Sequence, residues 1–240
     1  MRFSEVGRRN HRSSTGRSAL TVVPPFSIAC HRPFLIVTFG VLQRMLSWSM
    51  TKPGFQVARR VAWLEVRNED LSPQVDAAAF LSHRMEEASL GDAIALMTSR
   101  DVRRSHHAHA AIENVTASCV TTVGLSNAER IGHRIGAAAA AGTINTLVHV
   151  SCPLLGAALI EAIAITAQAR TAAVIDSGFR RAGIFITGTG TDCIVIAAPH
   201  ESNGHRFVGL HTAIGEAIGA CVYEATATGI ASWLADNGCA

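Results

Sequence analysis

At 240 residues, with a hydrophobic share of 48% and a charged share of 16%, the chain can bury one sizeable core, which excludes disorder over most of its length. Its net charge of +3 comes from the start: five arginines against Glu5 give residues 1–20 a local +4, leaving −1 for residues 21–240. A nearly neutral body excludes a phosphate-tracking basic face, so no nucleic-acid partner is expected.

Residues 1–22 read as a loose Arg-rich extension and residues 23–240 as a single domain. The six cysteines (Cys30, Cys119, Cys152, Cys193, Cys221 and Cys239) show no C-x-x-C spacing. Neither disulfides nor a zinc site is expected, and a reducing cytoplasm fits this pattern. No uninterrupted apolar run of about 18 residues is apparent, so no membrane span is expected.

In chain order, PFLIVTFG (33–40), QRMLSWSM (43–50) and VARRVAWLEV (57–66) have strand character, with Lys52-Pro53-Gly54 as a turn before the third. Residues 72–89 carry Pro just inside the start and helical apolar spacing. A strand at 93–99 follows. The charged stretch 100–114 reads as a solvated loop whose His106-His107-x-His109 is a weak metal candidate. VTASCVTTVGLSN (115–127) reads as a strand ending in a turn at Ser126-Asn127.

TINTLVHV (143–150) alternates, with Asn145, Leu147 and His149 on one face, which predicts a strand with a partly wet surface. Residues 154–176 form an apolar helix whose polar exceptions, Glu161 and Gln168, share a face. GIFIT (183–187) and CIVIAAP (193–199) are strands joined by the loop Thr-Gly-Thr-Gly-Thr-Asp. A last helix spans 212–237, where Gly215 and Gly219 leave room for a close backbone approach. The fold expected is α+β, with a largely antiparallel mixed sheet covered by two long C-terminal helices.

The Gly-Thr loop could be a phosphate cradle, a tight turn or a catalytic floor. A phosphate cradle needs a helix directly after its glycines, and here a strand follows. Turn and functional loop stay open on the residues alone. No G-x-S-x-G nucleophile elbow is present.

Six segments in order are more specific: LMTSRDV (96–102), TTVGLSNAERIG (121–132), AGTINTLVHV (141–150), LLGAALIEAIAITAQARTAAVIDSG (154–178), ITGTGTDCIVIAAP (186–199) and HTAIGEAIGACVYEA (211–225). Over residues 25–235 the chain resembles the adenosylcobinamide amidohydrolases of corrinoid salvage. The resemblance implies hydrolysis of the amide joining aminopropanol to the corrin ring, giving adenosylcobyric acid. The partner it implies is a small-molecule corrinoid, with no protein-bound cofactor or metal because the cobalt belongs to the substrate. A homo-oligomer is left open. Two positions depart from the family pattern: Arg170 stands where Lys is frequent, and His133-Arg134 follow Gly132 where an acidic residue is frequent.

Amide hydrolysis requires an activated nucleophile, oxyanion stabilisation and a proton for the leaving amine. Asp192 is the first candidate for the base that activates water. Residues 188–191 (Gly188, Thr189, Gly190, Thr191) are candidates for a backbone nest around the oxyanion, with the glycines at φ > 0. Glu216 and His211 are candidate proton donors. Asn145 with Thr143, Ser126-Asn127 and Met97-Thr98 are candidates for substrate contact. Trp48, Trp63 and Met97 are read first as core residues and second as packing against the corrinoid. A covalent mechanism through Thr189 or Thr191 ranks behind water attack, because no adjacent base is identifiable. The alternative function is a non-catalytic corrinoid-binding protein of the same fold; a nucleotide-binding protein comes third.

Overall fold

A computed structural model describes residues 25–72, 74–136 and 141–238. The extension expected at 1–22 and Pro73 of the first helix lie outside the described residues. The elements are β1 (Phe26–His31), β2 (Phe34–Ser47), β3 (Gly54–Glu65), α1 (Ala77–Glu87), β4 (Ile94–Thr98), β5 (His106–Ile112), β6 (Val115–Val123), β7 (Ala128–Glu129), β8 (Ile144–Val150), α2 (Gly156–Asp176), β9 (Arg180–Arg181), β10 (Ile184–Phe185), β11 (Gly188–Thr189), β12 (Cys193–Pro199) and α3 (Ala213–Asp236).

The main sheet runs β4-β3-β2-β12-β8-β6-β5, with β1 beside the first half of β2. Only β3–β4 and β8–β12 pair in parallel, so the sheet is mixed and largely antiparallel. The helices α2 and α3 pack on each other and on one face of β5, β6, β8 and β12, through small side chains such as Ala158, Ala162, Ala217 and Ala225. Residues contributed by strands from both halves of the sheet, among them Leu35, Val61, Trp63, Val120, Leu147 and Val195, build a second core. A third lies under α1, around Leu64, Leu81, Met85 and Ala95.

The strands expected at 33–40 and 43–50 are one strand, β2, whose pairing with β3 shifts register between Thr38 and Gln43. That irregularity lets one strand serve two neighbours: β1 pairs its first half and β12 its second. The stretch read as a charged loop contains β5, at the sheet edge beside β6. Its histidines follow strand geometry: His107 and His109 share a face, and His106 turns to the other. Among the described residues no group of three His, Cys, Asp or Glu could hold a metal.

The expected wet face of β8 is a correction: all seven of its residues are buried. It lies between β12 and β6, with Val148 and Val150 in the core under the helices and Leu147 in the core on the other face, so Asn145 and His149 are interior groups. GIFIT is also not one strand. Its Ile184-Phe185 pair with Arg180-Arg181 in a hairpin, and Gly188-Thr189 pair separately with Ala128-Glu129.

The helix α2 is long and apolar enough to cross a membrane by length and composition, which the reading by uninterrupted runs overlooked. In the fold its buried residues Ala158, Leu159, Ala162 and Ile165 belong to the core shared with α3. The close approach expected at Gly215 is real, because a β-carbon there would meet the carbonyls of Val208 and Gly209 at 2.4 Å. At Gly219 a β-carbon would meet nothing within 4 Å.

Candidate active site

The parallel register of β8 and β12 sets Asn145 opposite Cys193, so the residues just before each strand lie side by side. Gly-Thr-Ile-Asn (142–145) and the Gly-Thr loop (187–192) are therefore one structure. The Thr191 hydroxyl donates to the Gly142 carbonyl at 2.9 Å, the Thr143 hydroxyl donates to the Thr191 carbonyl at 2.8 Å, and the amide N–H of Ile144 donates to Asp192 Oδ1 at 3.1 Å.

Two more motifs close on this pair. Asn145 Nδ2 donates to the Met97 carbonyl at 2.7 Å, tying β8 to the end of β4. The turn at 124–127 passes against Gly142, where a β-carbon would sit 2.8 Å from the Gly124 carbonyl and the Ser126 nitrogen and 2.9 Å from Asn127 Oδ1. From just after β2, the Trp48 indole N–H donates to the Asp192 carbonyl at 2.8 Å.

The convergence walls a cavity of about 510 Å³. Its sides are apolar, with Trp48, Met50, Val66, Leu71, Leu96 and Met97, and its polar floor includes Asn127, Thr143, Asn145, Thr191 and Asp192. A small polar floor of this kind between apolar walls suits an organic ligand with amide groups. Trp48 is 45% exposed and Met97 lines the cavity, so both are site residues where core packing was expected first. Trp63 is a core residue with no exposure. Thr98 lines the cavity as well, though it is buried and its hydroxyl accepts from the Arg100 amide. Ser126 lies beside the cavity, in a cleft shared with Gly124, Ala141 and Trp233.

Behind the loop lies a second cavity of about 240 Å³, bordered by Arg130, Arg170, Thr171, Thr187, Gly188 and Thr189. Asp192 lines both. Its side chain and that of Arg170 are 9% and 12% exposed, with Arg170 Nη1 2.8 Å from Asp192 Oδ2. Thr189 contributes its backbone N–H to Oδ2 at 3.3 Å and its hydroxyl to Oδ1. Burial first, and then the negative charge of Asp192, push the Cys193 thiol up to about 12, so the cysteine beside Asp192 is a poor source of thiolate.

Two expectations are corrected here. The nest at 188–191 required glycines at φ > 0, yet neither Gly188 nor Gly190 has a left-handed backbone. Gly188 is extended in β11, and its missing side chain has another purpose: a β-carbon there would lie 3.0 Å from Asp192 Oδ2. His211 and Glu216 do not join the site. Both are exposed at the start of α3, whereas it is the far end, at Trp233, that borders the cleft beside the cavity. Seventeen residues of helix between Glu216 and Trp233 amount to about 25 Å.

Sequence reasoning assigned no role to Arg170, which was visible only as a departure from a family pattern. Nor could it see the Trp48 hydrogen bond, which joins residues 144 positions apart.

A single α+β domain gathers a Gly-Thr loop, a buried carboxylate and a guanidinium at one end of its sheet. The model of the adenosylcobinamide amidohydrolase family matches residues 20–238, and the chain belongs to that family. Among solved structures, the chain is similar to one titled "Crystal structure of the PH0078 protein from Pyrococcus horikoshii OT3", at 12% identity and a TM-score of 0.43, over 82% of this chain and 77% of that one. A search of curated proteins found no match.

Proposed function

We propose that the protein hydrolyses the amide that joins aminopropanol to the corrin ring of adenosylcobinamide, releasing adenosylcobyric acid for cobalamin salvage in the cytoplasm. The observation that carries this reading is the placement of Asp192: among the described residues it is the one carboxylate on the wall of the large apolar cavity. It is also held in a fixed orientation by Ile144 N–H, Thr189 and Arg170.

In this reading Trp48, Met50 and Met97 cover one face of the corrinoid, and the cobalt arrives and leaves with the substrate. Asp192 takes the proton of the attacking oxygen and returns it to the nitrogen as the C–N bond breaks, so that a single group serves as base and then as acid. Arg170, beside that carboxylate, offers positive charge to the oxyanion that develops on the former amide carbonyl, the part first given to a backbone nest. The sum of the steps adds one water across the amide: hydroxyl to the acyl carbon, hydrogen to the amine.

The test is to incubate purified protein with adenosylcobinamide and follow both products by mass spectrometry. Equal amounts of adenosylcobyric acid and aminopropanol support the reading. Corrinoid that binds and is recovered unchanged would replace it with a binding protein of the same fold.

A further inference from the structure

We propose that the oxygen that attacks the amide belongs to Thr189 and that the reaction passes through a Thr189 ester. The inference rests on the hydrolytic reading above and assigns its nucleophile.

Four groups face the Asp192 carboxylate: the N–H of Ile144, the N–H and the hydroxyl of Thr189, and Arg170. A carboxylate offers about four lone-pair positions; the Ile144 and Thr189 donors take three, and Arg170 Nη1, 2.8 Å from Oδ2 as an ion pair, crowds the place a water would need. Backbone amides and a guanidinium do not surrender protons near neutral pH. The Thr189 hydroxyl is the one neighbour that is both a nucleophile and a proton source, and it already donates to Oδ1. The base that a threonine mechanism needs is therefore Asp192, three residues along the chain.

The other hydroxyls of the two motifs are committed elsewhere. Thr191 donates to the Gly142 carbonyl, Thr143 donates to the Thr191 carbonyl or Asn145 Oδ1, and the Thr187 hydroxyl accepts from the Ile131 amide at 2.7 Å. Arg170 supplies the matching electrophilic group. Its Nε and Nη1 are buried without a hydrogen-bond partner, although Nη1 is within ion-pair distance of Asp192. Arg170 borders the cavity of about 240 Å³, so an oxyanion formed there lies beside its positive charge. The cavity of about 240 Å³ bordered by Thr189 and Arg170 has room for one acyl arm and not for the macrocycle, which keeps the large apolar cavity across the loop.

In the first half-reaction Thr189 Oγ bonds to the acyl carbon while its proton passes to Asp192. The oxyanion then collapses, the C–N bond breaks, and aminopropanol leaves with the proton from Asp192. In the second, water attacks the ester and gives a proton to Asp192. The C–Oγ bond breaks, and Thr189 recovers its hydrogen. One water is consumed and nothing is oxidised or reduced.

The experiment mixes the intact enzyme with adenosylcobinamide, quenches in acid within milliseconds to seconds, and looks for corrin absorbance and added mass on the peptide holding Thr189. A parallel reaction contains hydroxylamine, which diverts an ester to a corrinoid hydroxamate. Thr189→Ala and Thr189→Ser are run after circular dichroism has shown each to be folded. The proposal expects adduct or hydroxamate from wild type, retained turnover in Thr189→Ser, and a loss of roughly 10³-fold or more in Thr189→Ala. Turnover by Thr189→Ala within tenfold of wild type would overturn it, as would wild-type turnover with neither adduct nor hydroxamate. Those results leave amide hydrolysis standing with water as the nucleophile. Absence of aminopropanol from wild type overturns the hydrolytic reading and the ester together.

Discussion

Arg170 Nη1 stands 2.8 Å from Asp192 Oδ2, both side chains nearly withdrawn from solvent. One residue comes from α2 and the other from the turn before β12. Removing one member of such a pair leaves an uncompensated buried charge, at a cost of about 3 kcal/mol. Arg170→Met is predicted to lower stability by that order and to reduce turnover by roughly 10²-fold or more. Arg170→Lys keeps the charge and loses the planar fork, so it recovers most of the stability and only part of the rate. Denaturant melts alongside kcat for the two variants check this.

Trp48 offers a ring to the cavity and a hydrogen bond to the Asp192 carbonyl. Trp48→Phe keeps the ring, while Trp48→Ala removes both. The expected order of corrinoid affinity is wild type, then Phe, then Ala, with the alanine variant weakened roughly tenfold or more. Equilibrium titration by absorbance measures it. Equal affinities for all three would remove Trp48 from the binding surface.

Gly142 has no room for a methyl group, since its β-carbon would press on the Gly124 carbonyl and the Ser126 nitrogen. Gly142→Ala is predicted to destabilise the protein by about 1–3 kcal/mol, and to disturb the 124–127 turn that packs against Gly142 and Thr143. A lowered melting temperature with reduced corrinoid binding is the expected pair of results.

His149 lies in the interior between Phe26 and Phe39, and burial lowers its pKa from 6.5 to about 4. The neutral ring is the folded form, and the unfolded chain takes up the proton first as pH falls. Its contribution to stability is complete above pH 6.5 and is lost on acidification toward pH 4. The difference corresponds to about 3 kcal/mol at most. Unfolding free energies measured from pH 7 to pH 4 should fall more steeply for wild type than for His149→Phe. Parallel slopes would contradict the assignment.

His211→Ala and Glu216→Ala are predicted to leave turnover within about twofold of wild type, because both residues are exposed at the opposite end of α3. A large loss from either would mean that this end of the helix reaches the reacting arm by a route the fold does not show.

What the residues revealed follows the range of the forces involved. Alternation, helical spacing and turn chemistry are local, so α2, α3 and most strands could be read directly. The continuity of β2 could not, because Thr38–Gln43 is an irregularity whose purpose appears only when β1 and β12 are both present. Asn145 and His149 looked wet because polarity was judged without neighbours; Phe26 and Phe39 pack on His149, and the end of β4 covers Asn145. At the site, Gly-Thr-Ile-Asn and the Gly-Thr loop each stood out, but their joining depends on the parallel register of β8 and β12. The Arg170–Asp192 pair depends on where α2 lies over that loop. Positive φ was assumed for Gly188 from residue type, whereas a tight contact with Asp192 accounts for that glycine.

The central claim is that Asp192 is the acid–base group of a corrinoid amide hydrolysis. One measurement tests it most directly: the initial rate of aminopropanol release from adenosylcobinamide by wild type and by Asp192→Asn, with matched circular dichroism spectra and corrinoid affinities. Release by wild type and a fall of roughly 10²–10⁴-fold in the folded, corrinoid-binding variant is the predicted result. Equal rates from the two proteins would contradict it.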